Sequence, residues 1–224
     1  PTHFHGILGL GNKLLEAKKP ISLKTIISNA AALPQSIKEE IVGIYGNNVL
    51  HETYGSTEGG IISNLRPADQ LRKLQCVGQP FPCTNIKIIN ESGNECNPNE
   101  VGEIFSSSPY LFNGYWKRPK ETAEALDSDG WLTVGDLAKK DDEGYLYIVD
   151  RKKDMVISGG INIYPREIEE ILFQHPDVID AAVIGVPDEK WGEALKAFLV
   201  TKDDDKLSVD TIKQFCEGKI AKIK

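Results

Sequence analysis

The chain has 224 residues, 40% hydrophobic and 26% charged, enough apolar content for one large or two ordinary globular domains and too much for a disordered chain. A net charge of −7 and a pI near 5.2, with lysines scattered along the sequence, argue against nucleic-acid binding, which concentrates basic residues on one face. The longest apolar runs, such as Ala181-Ala182-Val183-Ile184, fall far short of the roughly 20 residues of a transmembrane helix.

Cysteines 76, 83, 96 and 216 have neither C-x-x-C spacing nor histidines at ligand distance. They read as reduced thiols of a cytoplasmic protein rather than as a zinc site or a disulfide framework. The start, Pro1-Thr2-His3-Phe4, has no Met, basic region or apolar region and reads as the boundary of a piece.

In chain order, leucines 8, 10, 14 and 15 fit loosely onto a helix from Gly6 to Ala17, and the β-branched Thr25-Ile26-Ile27 core predicts a strand over Leu23–Ser28. Pro34 suits the first turn of a helix that carries Ile37, Ile41, Val42 and Ile44-Tyr45 and stops at Gly46. A short strand, Val49-Leu50, then leads into a loop rich in Gly, Ser and Thr.

Downstream the period turns to two. Ile86 and Ile88 alternate with polar neighbours, Glu91-Ser92-Gly93 turns, and Val101–Phe105 returns. A second hairpin turns at Asp142-Glu143-Gly144, between Leu137 and the strand Tyr145–Val149. After the charged run Asp150-Arg151-Lys152-Lys153-Asp154 the texture becomes compact α+β. A hairpin turns at Gly159-Gly160, a helix starts at Pro165 with Glu167, Glu169 and Glu170 near its positive end, strands cover Val178–Val186 and Leu195–Thr201, and a helix runs from Ser208 to Glu217.

The most informative stretch is Tyr54-Gly55-Ser56-Thr57-Glu58-Gly59-Gly60. Small residues there let amides and hydroxyls approach an anion, and Glu58 offers a carboxylate to a hard cation. Alone, the stretch reads more readily as a plain surface loop. Three further motifs accompany it: Val101-Gly102-Glu103-Ile104 with Asn113-Gly114-Tyr115-Trp116; Gly130-Trp131-Leu132-Thr133-Val134-Gly135-Asp136; and Gly144 to Gly160 running on to Ile163-Tyr164-Pro165-Arg166-Glu167-Ile168-Glu169.

Together these resemble the acyl-adenylate-forming superfamily, most closely its acyl-CoA synthetases, over the C-terminal portion of such an enzyme. The resemblance implies an α/β and α+β multidomain fold. Residues 1–150 would end a large AMP-binding domain, with βα units and a small β-barrel-like part. Residues 151–154 would form a hinge, and 155–224 a small C-terminal domain.

It implies that Tyr54 lies against adenine, that Thr57 bonds the adenylate phosphate, that Gly55 and Ser56 belong with them to the nucleotide-binding set, and that Glu58 holds Mg²⁺. Asp136 and Arg151 would contact the ribose, Lys153 would occupy the hinge, and Gly160 would line the pantetheine passage. Val134 stands where relatives carry a hydroxyl or arginine, a departure that leaves Asp136 in place. Asn113 to Trp116 reads as mainly structural, Ala181 to Asp188 as core, and Trp191-Gly192-Glu193 as weakly placed near the acceptor.

ATP, Mg²⁺, CoA and a carboxylic acid are the implied cofactors and substrates, with no nucleic acid and a homodimer left open. The phosphate loop is expected upstream of Pro1 and the catalytic lysine beyond Lys224, since Gly218-Lys219-Ile220-Ala221-Lys222 resembles the motif before that lysine. The piece alone is therefore expected to be inactive. Two other readings stay open: an adenylation domain that loads a carrier protein, and a non-catalytic nucleotide-binding homologue. Only Ala30-Ala31-Ala32 and the Gly59-Gly60-Ile61 region could touch the acid.

Overall fold

The computed structural model describes residues 3–6, 23–29, 33–202 and 207–220. Beyond Gly6, which ends a strand, the expected helix over 6–17 lies outside them, as do the alanines 30–32. Two compact units emerge, Pro1–Val134 with Ala138–Ile148, and Gly135–Leu137 with Val149–Lys224.

In the first unit, β1 (His3–Gly6) and β2 (Thr25–Ser28) pair in parallel, and β2 pairs in parallel with β3 (Leu50–Ser56). Parallel neighbours need a crossover, and α1 (Gln35–Tyr45) lies in the one between β2 and β3. Pro34 precedes the helix with φ −56°, and Gly46 ends it at φ 87°, a left-handed conformation that glycine adopts at little steric cost. Ile26, Leu33, Ile41, Val49 and Leu50 form the core here, each large side chain contributing roughly 1.5–3 kcal/mol on burial.

Inside that apolar layer Lys38 of α1, 1% exposed, is ion-paired with Glu52 of β3. The other oxygen of Glu52 accepts a hydrogen bond from the Leu33 amide at 3.2 Å. The carboxylate thus ties α1, its entry and β3 together.

The sheet continues antiparallel through β4 (Gly60–Leu65) to β5 (Gln79–Pro80). Here the expectation needs correction: Tyr54, Gly55 and Ser56 belong to the end of a seven-residue strand rather than to a loop. Pairing with β4 extends β3 past Leu50, with a register shift between Tyr54 and Gly55. Gly55 is required at that point, because an added Cβ would run into the Gly60 carbonyl.

A second sheet has the order β6 (Asn85–Ile89), β7 (Gly102–Ser107), β8 (Asp136–Lys140), β9 (Leu146–Arg151). Both expected hairpins fall within it. It is a four-stranded sheet, and among the described residues no closed barrel is seen. Ile88, Ile104, Ala138 and Leu146 pack beneath it, joined by Tyr54. A short helix not foreseen from the sequence, α2 (Pro119–Ala125), follows β7.

In the second unit the hairpin β10 (Val156–Ser158) and β11 (Ile161–Ile163) joins β13 (Gly192–Thr201), which pairs with β12 (Val178–Asp188). The helix α3 (Pro165–Leu172) places Ile168 and Leu172 on Val156, Ile163, Val178 and Val183. Ile212 and Cys216 of α4 (Val209–Cys216) pack at the edge of this core, and Ser208 caps α4 by accepting from the Thr211 amide.

Candidate functional site

The motif Tyr54 to Gly60 forms the tip of the β3–β4 hairpin. Tyr54 is half-buried against the core of the second sheet. Thr57, Glu58 and Gly59 make the turn, whose shape is set locally by the Gly59 amide donating to Ser56 Oγ at 3.0 Å, a hydroxyl-closed turn. Thr57 is exposed and Glu58 half-buried.

The segment between β7 and α2 holds this tip from the side. The Phe112 amide donates to the Glu58 carbonyl at 2.7 Å, and the Tyr115 hydroxyl donates to Glu58 Oε1 at 2.6 Å. The Phe112 and Tyr115 rings meet edge to face, with centroids 4.9 Å apart. The Glu58 carboxylate, helped by partial burial, raises the Tyr115 pKa above its ordinary value. Spacing had marked Tyr115 as mainly structural, yet its hydroxyl bonds the central carboxylate. The signal in the sequence was only its place in the Gly114-Tyr115 motif.

Magnesium is commonly held by one or two carboxylates together with substrate phosphates and water. The hairpin tip suits that manner of binding: it carries one carboxylate, Glu58, adjacent in the chain to the exposed Thr57. Among the described residues no group of three or more His, Cys, Asp or Glu offers a preformed metal centre.

In the second unit Asp136 is 7% exposed, and Arg151 Nε lies 3.3 Å from its Oδ1. The Lys152 amide donates to the Gly135 carbonyl at 2.8 Å, which holds the chain after Arg151 beside the residue before Asp136. The structure thus brings together two residues 15 positions apart that the sequence singled out separately.

Lys153 is exposed in the turn that follows β9, where the Asp154 and Met155 amides return to the Arg151 carbonyl at 3.0 and 3.2 Å. The run 150–154 is not uniformly solvated. Asp150 is 9% exposed, and its carboxylate accepts from the Arg151 amide at 2.7 Å and from the Arg166 amide at 3.1 Å. It thereby serves the positive end of α3.

Gly160 lies in the exposed β10–β11 turn at φ 80°. Beside it the Gly159 amide donates to the Trp191 carbonyl at 2.8 Å, and the Trp191 ring lies so close that an added Cβ on Gly159 would meet it at 2.8 Å. Glu193 Oε2 accepts from the Ile157 amide at 2.8 Å. The Trp191-Gly192-Glu193 segment and the glycine turn therefore form one local structure.

Comparison with known proteins places this arrangement. The AMP-binding enzyme family matches residues 1–116, and the AMP-binding enzyme C-terminal domain matches residues 167–224. The chain is 39% identical over 204 residues to a long-chain-fatty-acid–CoA ligase of Bacillus subtilis (strain 168), covering 91% of this chain and 36% of that protein. It is 40% identical over 228 residues to the putative acyl-CoA synthetase YngI of the same organism, covering all of this chain and 41% of that protein.

Among solved structures it is similar to the o-succinylbenzoate CoA synthetase MenE of Bacillus subtilis in complex with its acyl-adenylate intermediate. The TM-score is 0.90 with 34% identity, over 99% of this chain and 45% of that one. The same synthetase in complex with ATP and a magnesium ion gives a TM-score of 0.89 with 33% identity, over 100% of this chain and 46% of that one. The chain thus spans less than half the length of these relatives. No helix among the described residues is long and apolar enough to cross a membrane. With both of its domain profiles matched in order and the Tyr54 to Glu58 motif at a hairpin tip, the chain belongs to the acyl-adenylate-forming, AMP-binding enzyme family.

Proposed function

We propose that the whole protein is an ATP-dependent acid–thiol ligase. In the first half-reaction a carboxylate oxygen attacks the α-phosphorus of ATP, forming an acyl-adenylate as pyrophosphate leaves. In the second, the CoA thiolate attacks the acyl carbonyl, forming the thioester as AMP leaves. The observation that carries this reading is the hairpin tip, where Thr57 and Glu58 stand on a turn fixed by Ser56 and clasped by Phe112 and Tyr115.

Thr57 donates its hydroxyl to the adenylate phosphate, and the Tyr54 ring lies against adenine. Glu58 holds the magnesium, which when bound neutralises phosphate charge as pyrophosphate departs. Asp136 accepts hydrogen bonds from the ribose hydroxyls, as acidic residues of dinucleotide folds do, and Arg151, ion-paired with that carboxylate, contacts the ribose beside it. Gly160 lines the passage for the acceptor thiol, and the turn at Lys153 is the hinge between the half-reactions.

Acid-dependent ATP–pyrophosphate exchange by the full-length protein, over short, medium, long-chain and aromatic carboxylates and then with CoA, tests this. Exchange with one acid class followed by CoA-dependent AMP release is expected. Exchange without a CoA response would move the acceptor to a carrier protein, and absence of exchange would overturn the ligase.

A further inference from the structure

We propose that Tyr115 is a positioning residue for the Glu58 carboxylate, setting its orientation before the cation arrives. The inference rests on the reading that Glu58 holds magnesium, and adds a residue whose part lies outside that reading. Its basis is the 2.6 Å bond from the Tyr115 hydroxyl to Glu58 Oε1, within the range of charge-assisted O–H···O⁻ bonds.

The phenol is aimed by more than one contact. The Tyr115 amide donates to Thr122 Oγ1 at 2.9 Å, and that hydroxyl donates to the Arg118 carbonyl at 2.7 Å within the first turn of α2. The Arg118 amide donates back to the Tyr115 carbonyl at 3.1 Å. Gly114, at φ 117°, lets the chain pass so close to Thr122 that an added Cβ would lie 2.8 Å from its Cγ2. The Phe112 ring packs edge to face on the phenol while the Phe112 amide holds the Glu58 main chain. Both the carbonyl and the carboxylate of Glu58 are therefore held by one rigid segment.

A carboxylate that ligates a cation binds it more tightly when a neighbouring hydrogen bond has already fixed its rotamer, because less side-chain freedom is lost on binding. Tyr115 is 38% exposed, so its hydroxyl could have bonded to water. Its engagement with Glu58 instead gives the Gly-Tyr turn a role at the site, reached through Glu58 rather than by contact with substrate.

The test is ATP binding to the full-length protein by calorimetry, once in EDTA and once with magnesium, for wild type, Tyr115→Phe, Glu58→Gln and the double variant. Tyr115→Phe should reduce the magnesium-dependent gain in ATP affinity about tenfold and leave affinity in EDTA as in wild type. In the Glu58→Gln background it should remove nothing further. Thr122→Val, which loosens the seat of the phenol but keeps it, should shift the same ratio by less, and serves if Tyr115→Phe does not fold. An equal loss with and without magnesium would make Tyr115 a structural clip and overturn the proposal. If Glu58→Gln abolishes the gain while Tyr115→Phe leaves it intact, the proposal fails alone. If Glu58→Gln leaves the gain intact, the assignment of Glu58 fails as well.

Discussion

Asp136 shows burial and an ion pair meeting at one residue. It is 7% exposed, and the Arg151 guanidinium lies 3.3 Å from its carboxylate, a partner in a place where an unpaired buried group would be costly. Asp136→Asn should weaken ATP binding by about 1.5–3 kcal/mol, the span of a hydrogen bond to a charged group, or roughly 10- to 150-fold. Unchanged KM and kcat in the full-length enzyme would remove Asp136 from the ribose site. At this scale the sequence marked Tyr54, Thr57 and Glu58 as candidates because their motif is contiguous, and the structure sets them at one hairpin tip. The sequence could not carry the Tyr115–Glu58 bond, which spans 57 residues, nor the Asp150–Arg166 contact, which a run of charged neighbours disguised as a solvated linker.

Between elements, the decisive contact is the Lys38–Glu52 pair linking α1 to β3. Removing one partner of a buried ion pair leaves the other charge uncompensated, at about 3–5 kcal/mol. Lys38→Met should therefore lower the urea midpoint of the full-length protein sharply. Adding Glu52→Gln should restore most of it, because glutamine removes the stranded charge yet still accepts from the Leu33 amide. If the double variant were no better than the single one, charge would not explain the loss. Elements with strong punctuation were legible: α1 between Pro34 and Gly46, the β10–β11 hairpin at its glycine pair, and α4 behind Ser208. The seven residues of α2 are too few to show a helical period. The extension of β3 to Ser56 depends on its partner β4, which no local pattern announced.

For the molecule as a whole, the order of its motifs was readable because each lies within a short stretch, whereas the division into two units is a matter of contacts remote in sequence. A hinge at Lys153 implies that the two half-reactions respond differently to stiffening. Lys153→Pro should leave pyrophosphate exchange near wild type and slow thioester formation, and equal losses in both would place the hinge elsewhere. The concealment of Lys38 has a further consequence for the reactivity of the chain. An ε-amine 1% exposed is out of reach of acylating reagents in the folded state, so its modification proceeds only as often as α1 parts from β3. Lys38 is thus a chemical clock for local opening of the layer behind the hairpin tip, read against exposed amines such as Lys153 that react without delay.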